Sequence, residues 1–355
     1  MLEDMDSDAI DWAFDVSSFM VLVGESEEYR YRAMRRSITE CFAAAPIAGI
    51  QSYLHSTASL AEATGRSYFS PVGMNSAPLR NMQLEHAINL KSLLADGSCA
   101  IYEIPQSRKP AQERFQLPSL AILSWVLFTW IALAGILAGL VLSSGLTWIG
   151  YANVFGFVGW SILARLIDRF CMEKVVNNTS DPDRDDAVFI LGRRNSCLIL
   201  KGKRRDLVEW TGHGIRQKPG RLAKAAEYFM RTTSLIVILF IFLTIPNGTT
   251  WDQVAFIGVN ITGQLNVLLG QRLTANHYFS KLTLVKSVSV PTRTHVYGVL
   301  LREFGDGKWV DDAGILPRTD VWDEWRSLVT THDYRGMDSK KLYEECLAVS
   351  IKGSV

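Results

Sequence analysis

Apolar and polar positions divide the chain sharply. Residues 115–164 form a charge-free run of 50, residues 232–251 one of 20 and residues 253–271 one of 19, with only Asp252 between the last two. A helix rises ~1.5 Å per residue, so about 20 residues cross a ~30 Å hydrocarbon core. The longest run therefore suffices for two crossings and a turn. The pattern predicts a first span over 120–142, a turn at Ser143, Ser144 and Gly145, and a second span over 146–164. A third is expected over 228–245, with Arg231 reaching from its first turn to the headgroups. Pro246 and Gly248 stop that helix. A fourth follows over 253–271, and Thr250 with Gln253 fits a capping box at its start.

The predicted fold class is an α-helical integral membrane protein, with four transmembrane helices as two hairpins and a small cytosolic α+β portion. Its parts are a cytosolic N-terminal region (1–114), a first hairpin (115–164), a basic middle segment (165–227), a second hairpin (228–271) and a cytosolic C-terminal region (272–355). The rival reading is buried helices of a soluble core. It fails for 120–142, which is apolar all round, Trp125 and Trp130 included. It stays open for the fourth helix, where Asn260, Gln264 and Asn266 weaken insertion.

Lysine and arginine placement sets the orientation. The middle segment is rich in both, Arg108, Lys109 and Arg114 precede the first span, and Arg272, Lys281 and Lys286 follow the fourth. Both short turns lack a basic residue, so the positive-inside rule puts both termini and the middle segment in the cytosol. The sequons at Asn177 and Asn178 should then stay unmodified, and the one at Asn247 lies close to the bilayer. The start, 1–15, is acidic and lacks a basic n-region with a long apolar h-region, so the first span is expected to act as signal and anchor. An endoplasmic reticulum or other endomembrane location fits better than secretion.

Within the spans, Gly135 and Gly139 form a GxxxG that would admit a neighbouring helix. In the fourth, Gln253, Asn260, Gln264 and Gln271 are spaced 7, 4 and 7. At ~100° per residue they share one face within about 40°. Such an amide stripe should face other helices, as hydrogen-bonding glue, or a wet substrate or ion path. Asn153 in the second span is its expected partner. The hairpins also echo each other: Gly145-Leu146-Thr147-Trp148 opens the second span and Gly248-Thr249-Thr250-Trp251 the fourth. A shared need for glycine, a capping hydroxyl and an interfacial tryptophan explains the echo as well as duplication does.

Outside the spans, 41–50 is an apolar run too short to cross, so a buried or interfacial segment is expected. Residues 78–94 read as an amphipathic helix and 68–77 as loop. Apolar runs 187–191 and 196–200 flank Gly192-Arg193-Arg194-Asn195, a hairpin signal, and 206–211 starts a helix. Residues 281–290 alternate as a strand, while 295–304 and 320–330 read as helices. The basic cluster Lys201, Lys203, Arg204 and Arg205 could meet anionic headgroups, or serve as topology determinant and solvated face.

Composition adds exclusions. The 355 residues carry 37 basic and 36 acidic side chains, a balance that argues against nucleic acid as a partner. The five cysteines include no C-x-x-C pair, so a disulfide framework or zinc site is not expected. Asp181, Asp183, Asp185 and Asp186 form an acidic cluster of the kind that holds Mg²⁺ in diphosphate enzymes, but its spacing departs from theirs and a solvated loop is the better reading. No histidine pair has metal-ligand spacing, no G-x-S-x-G, Walker A or G-x-G-x-x-G occurs, and no cofactor is implied. The spans hold no Asp, Glu or Lys in mid-membrane, which counts against a proton-coupled transporter.

Three stretches, 191–196 with Trp210-Thr211-Gly212, 245–252 and 263–271, resemble uncharacterised multi-pass membrane proteins of filamentous fungi. The likeness covers the middle third to half of the chain and transfers no activity to any residue. It implies a fungal origin and a link to secondary metabolism. The layout of two hairpins around a cytosolic segment is also similar to the reticulon arrangement. The first expectation for function is a non-catalytic scaffold or accessory factor, with the bilayer and a membrane protein or enzyme as partners. A membrane-embedded biosynthetic enzyme is second, and a channel or transporter third.

Overall fold

The computed structural model describes residues 24–34, 38–43, 46–47, 49–62, 64–106, 120–142, 145–175, 181–331 and 336–353. The acidic start, the turn residues Ser143 and Ser144, the cations Arg108, Lys109 and Arg114 and the sequons at Asn177 and Asn178 lie outside them.

The chain opens with α1 (Glu25–Ala33), α2 (Ile38–Ala43), a 3₁₀ turn (Ile50–Leu54), α3 (Thr57–Ala61), β1 (Ser67–Ser70), β2 (Asn75–Pro78), α4 (Met82–Leu90) and β3 (Ser98–Glu103). Two long helices follow, α5 (Leu120–Leu142) and α6 (Trp148–Cys171), then β4 (Met172–Lys174), β5 (Asp185–Leu191), β6 (Cys197–Lys203), α7 (Arg204–Thr211) and β7 (Ile215–Gln217). Two more long helices, α8 (Arg221–Thr244) and α9 (Thr250–Phe279), precede β8 (Thr283–Ser289). The last helices are α10 (Arg293–Phe304), α11 (Trp309–Ala313), α12 (Asp320–Thr330) and α13 (Ser339–Gly353). They divide into two compact units, each assembled from three stretches of chain: a helical unit (1–63, 114–175, 214–277) and an α/β unit (64–113, 176–213, 278–355).

In the helical unit, Leu120–Leu142, Arg221–Asn247 and Thr250–Phe279 are each long and apolar enough to cross a membrane. The second expected span, α6, has the length but not the hydropathy, because Asn153, Arg165 and Asp168 interrupt its apolar surface. Helix α5 buries little: Leu120, Leu127, Phe128, Ile131 and Leu142 are all more than half exposed. The core lies between α6, α8 and α9, with Val154, Phe157, Trp160, Ile238, Phe256 and Val259 among its members. The short apolar run enters this core. Ile47 and Ile50 are fully buried in it, and the Ile47 N–H donates to Ser161 Oγ at 2.9 Å. Gly263 makes room for this segment, since a Cβ there would lie 2.6 Å from the Pro46 carbonyl oxygen. Arg231 does not run free to the headgroups; its Nε donates to the Leu54 carbonyl at 3.0 Å. A two-stranded ladder, β4 with β7, joins the end of α6 to the chain leading into α8.

The α/β unit is larger than the small portion expected. Its six-stranded sheet has the order β2-β1-β5-β6-β3-β8, with β3 and β6 parallel and the other neighbours antiparallel. Side chains alternate across a strand, and both faces are covered. Cys99, Ile101, Phe189, Cys197 and Ile199 pack beneath α10–α13, around Trp325 and Leu342. Ala100, Tyr102, Val188, Ile190, Leu198 and Leu200 pack against α4 and α7 through Leu84, Ile88, Leu207 and Trp210. Residues 68–77, expected as loop, fold instead as the β1–β2 hairpin, with the Gly73 N–H on Ser70 Oγ at its turn. The strand β3 carried no expectation at all. Helix α4 is confined to Met82–Leu90, and Asn81 caps it by accepting from the Gln83 and Leu84 N–H groups.

Candidate functional site

Three groups of polar side chains stand out among the described residues of the helical unit. At the turns between helices, Thr147 caps α6, its Oγ1 accepting from the Ile149 N–H at 3.2 Å. Asp252, fully buried, accepts from the Thr147 N–H at 2.8 Å and the Thr147 hydroxyl at 2.6 Å. It also accepts from the Thr249 N–H at 2.9 Å, while its own N–H donates to Thr249 Oγ1 at 3.3 Å. The capping box of α9 is thus Thr249 with Asp252, not Thr250 with Gln253. A carboxylate can accept from four directions, so Asp252 caps its own helix and grips the other turn too. Gln253 turns back, its Nε2 donating to the Ile245 carbonyl at 3.1 Å. The fit is tight at Gly150, where a Cβ would lie 2.2 Å from Asp252 Oδ1. The two echoed openings meet face to face.

Further along, Asn153 exchanges hydrogen bonds with the Thr244 hydroxyl at 2.9 and 3.1 Å, joining α6 to α8. Thr129 on α5 donates to Asn266 on α9 at 2.8 Å. The expected partner of Asn153 was the amide stripe, and Thr244 takes that place. Asn266, one position off the stripe's repeat, carries the cross-link to α5. Of the stripe itself, Gln253, Asn260 and Gln271 are buried. Asn260 donates to the Phe256 carbonyl of its own helix at 2.9 Å, while its Oδ1 has no donor among the described residues. Gln271 donates to the Glu27 carbonyl at 3.3 Å, and Gln264 packs against Gly24. At the GxxxG, a Cβ on Gly135 or Gly139 would meet nothing within 4 Å among the described residues.

A cluster of buried charges sits at the far end of α6. Arg165 Nη2 lies 2.7 Å from Glu28 Oε2, with the two side chains 2% and 0% exposed. Arg32 Nε lies 2.7 Å from Asp168 Oδ2. Glu28 and Arg32 are four apart on α1, and Arg165 and Asp168 three apart on α6, so each pair shares a helical face and the two faces cross-pair. Tyr53 donates to Glu28 Oε1 at 3.1 Å and lies under the Arg32 guanidinium, 4.0 Å from its ring centroid. Arg32 also donates to the Ser52 carbonyl. Burial opposes the Arg32 charge most strongly, but Asp168, Tyr53 and Glu28 together outweigh it and hold the group above its ordinary range. Burial, with Glu28 and Asp168 nearby, pushes the Tyr53 phenol well up, so it stays a donor. Beside the pairs is a cavity of about 40 Å³ lined by Tyr31, Met34, Cys41, Asp168, Met172 and Ile215. Sequence reasoning missed this cluster, having counted Arg165 only toward orientation; the spaced opposite charges were the available signal.

In the α/β unit the basic cluster is answered by acids. Lys203 Nζ lies 2.8 Å from Asp185 and Arg204 Nε 3.6 Å from Asp186. Arg205 meets Asp206 at 3.5 Å and Asp183 at 4.0 Å, and Lys201 pairs with Glu303. The register of β5 against β6, which sets Asp185 opposite Lys203, brings the two runs together. Burial raises the Asp186 carboxyl, with the Ala187 N–H and Arg204 opposing. Among the described residues, no group of three or more His, Cys, Asp or Glu is arranged to hold a metal ion. No known family model, no curated protein and no solved structure matches the chain.

Proposed function

We propose that the chain is a four-span membrane protein, two helical hairpins with both termini cytosolic, that works as a non-catalytic scaffold or accessory factor. The observation that carries the membrane part is the outward apolar surface of α5, where Leu120 and Leu142 are 83% and 84% exposed and Leu127, Phe128 and Ile131 lie between. Water would be a poor solvent for such a surface, about 25 cal/mol per Å². The hairpin arrangement draws support from Asp252, since a side chain that binds both turns needs both on one side of the bilayer.

The accessory role draws support from pairing. Asp252, Asn153, Thr129, Glu28 and Arg165 bond to neighbours in the same unit, an arrangement suited to holding shape. The resemblance to fungal multi-pass proteins would place such a scaffold beside enzymes of secondary metabolism. Pull-down of the full tagged chain in mild detergent tests the role. A specific enzyme should be retained near stoichiometry, and recovery of the chain without one would contradict it. In a strain lacking the gene, one accumulating intermediate restored by wild type but not by a stably produced Asn260→Ala chain would favour the enzyme reading instead.

A further inference from the structure

We infer that an open cleft beside the β5–β6 turn is a binding site for a phosphate monoester. The cleft, about 380 Å³, is lined by Arg66, Leu94, Asp96, Gly192, Arg193 and Arg194. That volume is within the range of small-molecule sites, roughly 300–1,000 Å³. Three arginines line it. Arg66 is partnered by Glu85 at 3.0 Å and Arg194 by Asp96 at 3.1 Å, whereas no ion pair or hydrogen bond engages the Arg193 side chain among the described residues. One full positive charge is therefore left over, unlike at 201–205, where every cation meets an acid.

The Arg194–Asp96 pair is also easily opened, because its side chains are 80% and 51% exposed and exposed pairs contribute little. An incoming dianion would thus find Arg193 free and Arg194 available. Planar guanidinium forks match phosphoryl oxygens two at a time.

The backbone that presents them is braced. The Arg293 guanidinium donates to the Gly192 carbonyl at 3.0 Å and to the Arg194 carbonyl. Asn195 Nδ2 donates to the Pro291 carbonyl at 2.8 Å, and the Gly97 N–H to the Asn195 carbonyl at 2.8 Å. A turn held at four points loses little freedom when a ligand arrives. Leu94 offers an apolar contact for the ester's carbon side. The inference does not rest on the scaffold reading, since every group involved belongs to the α/β unit.

A phosphate monoester could come from a lipid headgroup or from a soluble metabolite, and two probes separate them. The full chain in detergent micelles is titrated with glycerol 3-phosphate, and separately with phosphatidic acid in mixed micelles, with binding read by thermophoresis. At least one probe should bind, at least ten-fold more weakly to Arg193→Gln and about three-fold more tightly to Asp96→Asn. Arg318→Gln, an exposed cation elsewhere in the α/β unit, should leave binding unchanged. Binding of phosphatidic acid alone assigns the site to a lipid headgroup, and binding of glycerol 3-phosphate as well assigns it to the phosphoryl group itself. Absence of binding by both would overturn the inference. So would affinity insensitive to Arg193→Gln, or an equal loss in Arg318→Gln, which would mark diffuse attraction.

Discussion

Asp252 and Thr147 stand at the starts of two different long helices, α9 and α6, and the carboxylate of one takes both the N–H and the hydroxyl of the other, at 2.8 and 2.6 Å. The contact couples two helix caps. Thr147 starts α6 and Asp252 completes the cap of α9, so neither helix start is built independently.

Asp252→Ala should destabilise the detergent-solubilised chain by about 2–4 kcal/mol, because buried N–H donors lose their acceptor. Thr147→Val should cost less, and the double variant should cost less than the sum. A coupling of about 1 kcal/mol or more in a denaturation cycle is expected.

At the other end of α6, Glu28 and Arg165 are an ion pair almost wholly out of water. Arg165→Met alone strands the Glu28 carboxylate and should cost about 3–5 kcal/mol. Replacing both, Glu28→Leu with Arg165→Met, should cost less than either single change, as read from thermal midpoints.

The α/β unit carries a pH response at the start of α13. His295 Nε2 lies 3.1 Å from Asp338, and this contact, with the Lys340 N–H and then the Lys341 N–H, holds the Asp338 carboxyl below the usual carboxylate range. A depressed folded value stabilises above the unfolded value, about 3.9. That contribution is lost as the pH falls from there through the folded value. Amide protection in α13, measured relative to the intrinsic exchange rate at each pH, should fall below about pH 4, and Asp338→Asn should remove that dependence.

Changing Lys203, Arg204 and Arg205 together to Ala should act on the fold. Asp186, 8% exposed, would lose its cation. Limited proteolysis of the α/β unit should quicken while sedimentation with membranes stays unchanged. Loss of membrane association with an intact unit would return the cluster to the bilayer surface.

How much of this was legible in the sequence depends on the range of the interaction. Local pattern located the long helices, the β5–β6 hairpin and the strand β8, because each follows from periodicity within one segment. The true capping box was one residue away, since Thr249 and Thr250 present the same chemistry and only the reciprocal bonds between Thr249 and Asp252 separate them. The strand β3 pairs with β6 and β8, both distant in sequence, and Ser98–Glu103 has no alternation to betray it. The pairs Glu28–Arg165 and Arg32–Asp168 span 137 and 136 residues, so only the folded chain brings them together. The basic and acidic runs at 201–205 and 181–186 were each visible, but the β5–β6 register is what makes them one feature.

The membrane account is tested most directly in sealed microsomes carrying the chain with a tag at each end and a cysteine introduced at Asn247. The account predicts that external protease removes both tags, while a membrane-impermeant maleimide reaches position 247 only after permeabilisation. Protection of one tag and loss of the other would contradict it.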